Sequence, residues 1–192
     1  MGAVGFFGSR SLRPDVSAVV QRFLDAGYAI YTGCAVGGDE SVVRYCVNAG
    51  AADALRLFAI FNELGEGAWM WSNVSGVLDA AAGGARVMWL AGGPLDLRPG
   101  VRCRMRSRRM VDGVWYAGAD RHVGVCGWIS SPDPVESPGS WGTCRYAASM
   151  QLAVVVFPVG WDISLAPALG AGRWVSAGGG AFAGAWRWQA AT

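Results

Sequence analysis

The chain has 192 residues, 53% of them hydrophobic and 16% charged, with a formal net charge of +2, which suits one substantial core and advertises no global affinity for nucleic acid or a membrane surface. Five cysteines (Cys34, Cys46, Cys103, Cys126, Cys144) without a Cys-x-x-Cys pair, a lone histidine (His122) and no basic-then-apolar leader argue against a zinc-thiolate centre and a serine–histidine triad, and point to reduced thiols in a cytoplasmic protein. No apolar run approaches the roughly 20 residues of a membrane span, because the Trp-rich tail is cut by Arg173, Arg187 and glycines.

In chain order, Gly2 to Phe7 reads as a buried strand running into the turn Gly8-Ser9-Arg10. Asp15 can cap a helix whose Val16, Val19, Val20, Phe23 and Leu24 share one face, and Gly27 ends it. A second strand, Tyr28 to Tyr31, meets the glycine loop "TGCAVGGDE", after which Val42, Val43, Cys46 and Val47 carry helical spacing over Asp39 to Val47. "LRLFAIF" from Leu55 is a third strand, Ser75 to Ala82 a helix, and "ARVMWLA" at Ala85 to Ala91 a further strand. The arginine-rich segment Val101 to Asp112, the strand "HVGVCGW" from His122, a helix entered through "SWGTCRYAASM" and the strand "LAVVVFPV" from Leu152 complete the alternation. Apolar strands alternating with helices predict a single α/β domain: a Rossmann-like, mostly parallel sheet with helices on both faces, spanning residues 1–165. Residues 166–192 form a Gly/Trp-rich tail expected to pack on the domain or on a second copy in a homodimer.

Three turns fall at the carboxyl edge of this sheet, where open α/β sheets bind ligands. They are Gly8-Ser9-Arg10, the loop containing Gly33, Gly37, Gly38 and Asp39, and Ser137 to Thr143, "SPGSWGT". Free N–H groups and a helix N-terminus favour an anion there by about 0.3–1 kcal/mol, so a phosphate cradle is the expectation. Arg106 is the chosen phosphate or ribose contact because guanidinium is a rigid fork of donors. Arg98, Arg102, Arg104, Arg108 and Arg109 read as a solvated helix face, and His122 as a surface or hydrogen-bonded structural residue. Trp69, Trp71, Trp89, Trp115 and Trp128 read as core or interface, whereas Trp141, inside the third glycine turn, is placed to cover a ligand ring.

In this order the motifs "GSR", "TGCAVGGD", an arginine-rich helix ending in Met and "SPGSWGT" resemble the SLOG superfamily over roughly residues 3–160. That superfamily includes YspA-like and YpsA-like proteins, DprA DNA-processing proteins and the Lonely Guy phosphoribohydrolases. The resemblance implies glycine loops that bind an adenine nucleotide or NAD-derived ligand: Gly8, Ser9, Arg10, Gly33, Gly37, Gly38, Asp39, Arg106, Gly139, Ser140, Trp141, Gly142 and Thr143. It also implies pairing into dimers.

The Lonely Guy motif falls on Pro138 to Tyr146, with Tyr146 where the catalytic glutamate would stand, and the arginine motif on Met105 to Met110 has lost its acid. N-glycosidic cleavage needs a carboxylate, so the expected role is that of a nucleotide sensor or accessory binding module without that activity. Arg106, Asp39 and Glu136 are the catalytic candidates if the protein is instead a nucleotide hydrolase. Arg98 to Arg109 would contact DNA if it acts in the manner of DprA.

Overall fold

A computed structural model describes residues 2–113 and 120–191, so Trp115 lies outside the described residues. Eight strands form one sheet in the order β4-β3-β2-β1-β5-β6-β8-β7. The strands are β1 (Gly2–Gly8), β2 (Ala29–Gly33), β3 (Leu55–Phe58), β4 (Arg86–Met88), β5 (Arg121–Ile129), β6 (Ala153–Pro158), β7 (Gly172–Ser176) and β8 (Trp186–Ala190). The first six run parallel, and β8 and β7 are added antiparallel. Five helices cover them: α1 (Ser17–Asp25), α2 (Gly38–Asn48), α3 (Val74–Ala82), α4 (Pro99–Asp112) and α5 (Pro138–Ser149). The α/β reading therefore holds. Among the described residues no helix is long and apolar enough to cross a membrane.

The pleat assigns alternate side chains of each strand to opposite faces. Val4 and Phe6 join the helical stripes Val16, Val19, Val20 and Val42, Val43, Cys46 in one core, with Val77 and Ala80 from α3. Ala3 and Phe7 point the other way, into a second core with Met110 and Val111 of α4 and Trp141, Cys144 and Ala147 of α5. Strands buried on both faces need a continuous apolar sequence, which is why β1, β2, β3 and β5 were legible as runs.

Two readings need correction. "ARVMWLA" forms only a three-residue strand, because β4 is a sheet edge with Arg86 exposed and the chain turns away after Met88. The tail does more than pack on the domain: β8 pairs with β6 through Val155↔Arg187 and Val156↔Trp186 and extends the sheet. Trp174 and Trp188 pack against the α4–α5 core, with ring centroids 5.3 Å apart, while Phe182 meets Phe23 of α1 at 6.1 Å.

Between β1 and β5 the strand order reverses. Loops on either side of such a switch point diverge and leave a crevice at the strands' carboxyl ends.

Candidate functional site

One side of the crevice is built where β1 and β2 end and α2 begins. Gly8 and Gly38 meet backbone to backbone: a Cβ on Gly8 would lie 2.7 Å from the Gly38 Cα. Gly37 takes φ of +98°, which favours glycine, and a Cβ there would press on Arg10. This close packing uses the local donors. Ser9 N–H donates to Trp128 O (2.9 Å), Gly38 N–H to Ser9 O (3.3 Å) and Gly37 N–H to the Glu40 carboxylate (3.2 Å). Glu40 is itself paired with Arg13 at 3.0 Å.

Asp39 folds back from the first turn of α2 so that its Oδ2 accepts from Ala35 N–H (3.3 Å) and from Arg106 Nη1 (2.9 Å). The pair is secluded, with side chains 12% and 4% exposed for Arg106 and Asp39. Gly33 lies directly beneath, and a Cβ on it would collide with the Arg106 guanidinium. Burial works against the arginine's charge, yet the carboxylate of Asp39 holds its pKa above the ordinary value. Burial also pushes the neighbouring Cys34 thiol far above its usual range. The Arg106 charge is thus already answered, although its Nε is buried without a partner among the described residues.

Arg102 lies one turn earlier on the same inward stripe of α4. It is only 3% exposed and donates to the Ile60 and Gly67 carbonyls, the latter at 3.0 Å, so it fastens the β3–α3 loop instead of standing on a solvated face.

The facing side is the start of α5. Ser137 N–H donates to Asp133 O (3.0 Å), Pro138 has no N–H, and from Trp141 onward the backbone donors serve the helix. The N–H groups of Gly139 and Ser140 are the ones the helix leaves over. Nothing lies within 4 Å of a Cβ built on Gly139 or Gly142, so this turn is open where the first is closed. Trp141 corrects the expectation of a ligand cover: it is fully buried, donates from Nε1 to Ser131 O (3.0 Å), and its ring meets Trp161 and Trp174 at 6.0 and 6.3 Å. The reason is helical phase. Trp141, Cys144 and Ala147 face the sheet, which turns Gly142, Arg145 and Ser149 outward.

Between these sides lies a cleft of about 930 Å³. Its lining includes Gly8, Ser9, Arg10, Asp39, Arg106, Glu136, Gly139, Ser140, Gly142 and Thr143 from the sequence-derived set. Gly33, Gly37 and Gly38 lie behind the wall, where they permit the packing just described. Five arginines line the cleft (Arg10, Arg104, Arg106, Arg108, Arg145) against two carboxylates, Asp39 and Glu136. Among the described residues only Arg106 of the five has an ion-pair partner. Arg108 lies over the Tyr146 ring at 5.2 Å, and Tyr146 donates to Asp112 (2.6 Å), a hydrogen bond that raises its phenol pKa. Glu136 accepts from the Ser131 hydroxyl at 2.6 Å. No group of three or more His, Cys, Asp or Glu among the described residues could hold a metal ion.

Sequence reasoning missed Arg104, Arg108, Arg145, Trp69 and Trp71 as cleft residues. The spacing of Gly100, Cys103, Arg104, Ser107 and Arg108 on one face of α4 was a usable signal, but which face met the cleft depended on packing. His122, at the opposite end of the sheet, is partly buried and is not hydrogen-bonded among the described residues. It packs edge-on against Tyr31 at 5.6 Å with no partner on either ring nitrogen among the described residues, and burial lowers its pKa to about 4. No protein-family model, curated protein or solved structure matches this chain.

Proposed function

We propose that this cleft binds a nucleotide or nucleotide-derived ligand, with its phosphate at the start of α5, and that the protein serves as a sensor or accessory module. The observation that carries the reading is that the spare Gly139 and Ser140 N–H groups share one cleft with four arginines that no carboxylate among the described residues answers. Oriented N–H groups and unpaired guanidinium are what a phosphate's oxygens require, and a volume of about 930 Å³ leaves space for sugar and base. Arg104, Arg108 and Arg145 replace Arg106 as the anion contacts, because an anion at Arg106 would have to displace Asp39. The binding-module reading is supported by the two cleft carboxylates, Asp39 held by Arg106 and Ala35 and Glu136 accepting from the Ser131 hydroxyl, and by Tyr146 standing where the SLOG resemblance would need a catalytic glutamate.

The test is a thermal-shift series with mono-, di- and triphosphate nucleotides, NAD, ADP-ribose and single-stranded DNA, each mixture then separated by chromatography. A nucleotide at 100 times its Kd adds about 2.7 kcal/mol and is expected back intact. Released base or phosphate would make the protein an enzyme, with Glu136 the residue to replace. Arg104, Arg108 and Arg145, which have no ion-pair partner among the described residues, also favour single-stranded DNA as a second reading. That reading requires affinity to fall with salt by a log–log slope of roughly 0.7 per phosphate contacted.

A further inference from the structure

Trp69 and Trp71 belong to the loop between β3 and α3, and both line the cleft. Trp71 is 42% exposed, whereas tryptophan is highly buried on average. The loop holds it in a fixed place. Val36 N–H donates to Trp71 O (2.8 Å), Asn73 N–H to Cys34 O (2.9 Å), Ser72 N–H to Trp69 O (2.7 Å) and Trp69 N–H to Ser72 Oγ (3.0 Å). Arg102 secures the same loop at Gly67. Across the cleft mouth, the Arg10 guanidinium lies 5.0 Å from the Trp69 ring and 5.9 Å from the Trp71 ring, with no carboxylate partner among the described residues.

We propose that Trp71, with Trp69 beside it and Arg10 stacked across both, is the platform on which the planar base of a nucleotide lies. An exposed, backbone-fixed indole offers a π face at little ordering cost, and a guanidinium plane can stack on the same base while its N–H groups meet the base edge. Ser11 and Ser72 also line the cleft. Stacking accepts every base, so the platform separates base-bearing nucleotides from bare sugar phosphates more strongly than it separates one base from another. This inference rests on the nucleotide reading above, and it gives that reading a direction: phosphate at α5, base at the β3–α3 loop.

Isothermal titration of the full chain with AMP, GMP, CMP and UMP, and with ribose 5-phosphate as the baseless control, tests it. Wild-type protein is expected to bind at least one nucleoside monophosphate roughly five- to 150-fold more tightly than ribose 5-phosphate, the range expected for one stacked base. Trp71→Ala removes most of that ratio and leaves ribose 5-phosphate affinity unchanged, while Trp71→Phe restores much of it. Equal affinity of wild type for nucleotides and ribose 5-phosphate overturns the platform and leaves the phosphate site standing. So does a Trp71→Ala protein that unfolds at the wild-type temperature yet keeps the full ratio. If wild type retains none of the five compounds, the nucleotide reading fails and the platform fails with it. Should Trp71→Ala not fold, the wild-type ratio and Trp71→Leu, which keeps an apolar side chain without a π face, decide the matter.

Discussion

The two glycine-rich turns, "GCAVGGDE" and "SPGSWGT", look alike in sequence and do opposite things in the fold. In the first, Gly33, Gly37 and Gly38 exist so that protein can approach protein: Arg106 over Gly33, the Arg10 backbone against Gly37, and Gly8 against Gly38. Its Ala35, Val36, Gly37 and Gly38 donors are spent on the Asp39 carboxylate, Trp71 O, the Glu40 carboxylate and Ser9 O. In the second, Gly139 and Gly142 have open space above them and two N–H groups left over. A glycine cluster thus signals close approach, and only the fold says whether the approaching body is the chain itself or a ligand.

Substitutions can break this contrast. The largest effect is expected for Asp39→Ala, which leaves the buried Arg106 charge unpaired and should cost about 3–5 kcal/mol in urea denaturation. A loss below about 1 kcal/mol would mean the pair is incidental. Gly38→Ala drives a methyl into the Gly8 backbone and should cost about 1–3 kcal/mol, with nucleotide affinity affected only through stability. Gly142→Ala is the opposite case. It meets no atom within 4 Å and sits in a helix, so stability should rise by about 0.5–1 kcal/mol while nucleotide affinity falls, because the methyl enters the cleft. Destabilisation by Gly142→Ala, or unchanged affinity, would erase the distinction between the two turns.

Much of the fold could be read from the chain because β1, β2, β3 and β5 are largely apolar and buried on both faces, and the helices α1 and α2 carry clear stripes. The tail escaped because β7 and β8 are half-exposed: Trp174 and Trp188 alternate with Arg173, Arg187 and Gln189 among many glycines. The positions of the turns at one sheet edge were legible. Their internal hydrogen bonding was not, because the Asp39–Arg106 pair joins residues 67 apart, and no local pattern announces it. Trp141 was misplaced although its stripe with Cys144 and Ala147 was visible, since the glycines around it drew the reading toward a ligand. Trp69 and Trp71 required the loop's hydrogen bonds to Val36 and Cys34 before their direction was defined.

The most direct test of the account is amide chemical-shift mapping of ¹⁵N-labelled protein titrated with AMP. The account predicts that the largest saturable shifts fall on the amides of Gly139 and Ser140, with Gly37 and Gly38 little moved. Saturable shifts centred on Gly37 and Gly38, with Gly139 and Ser140 unmoved, would contradict it.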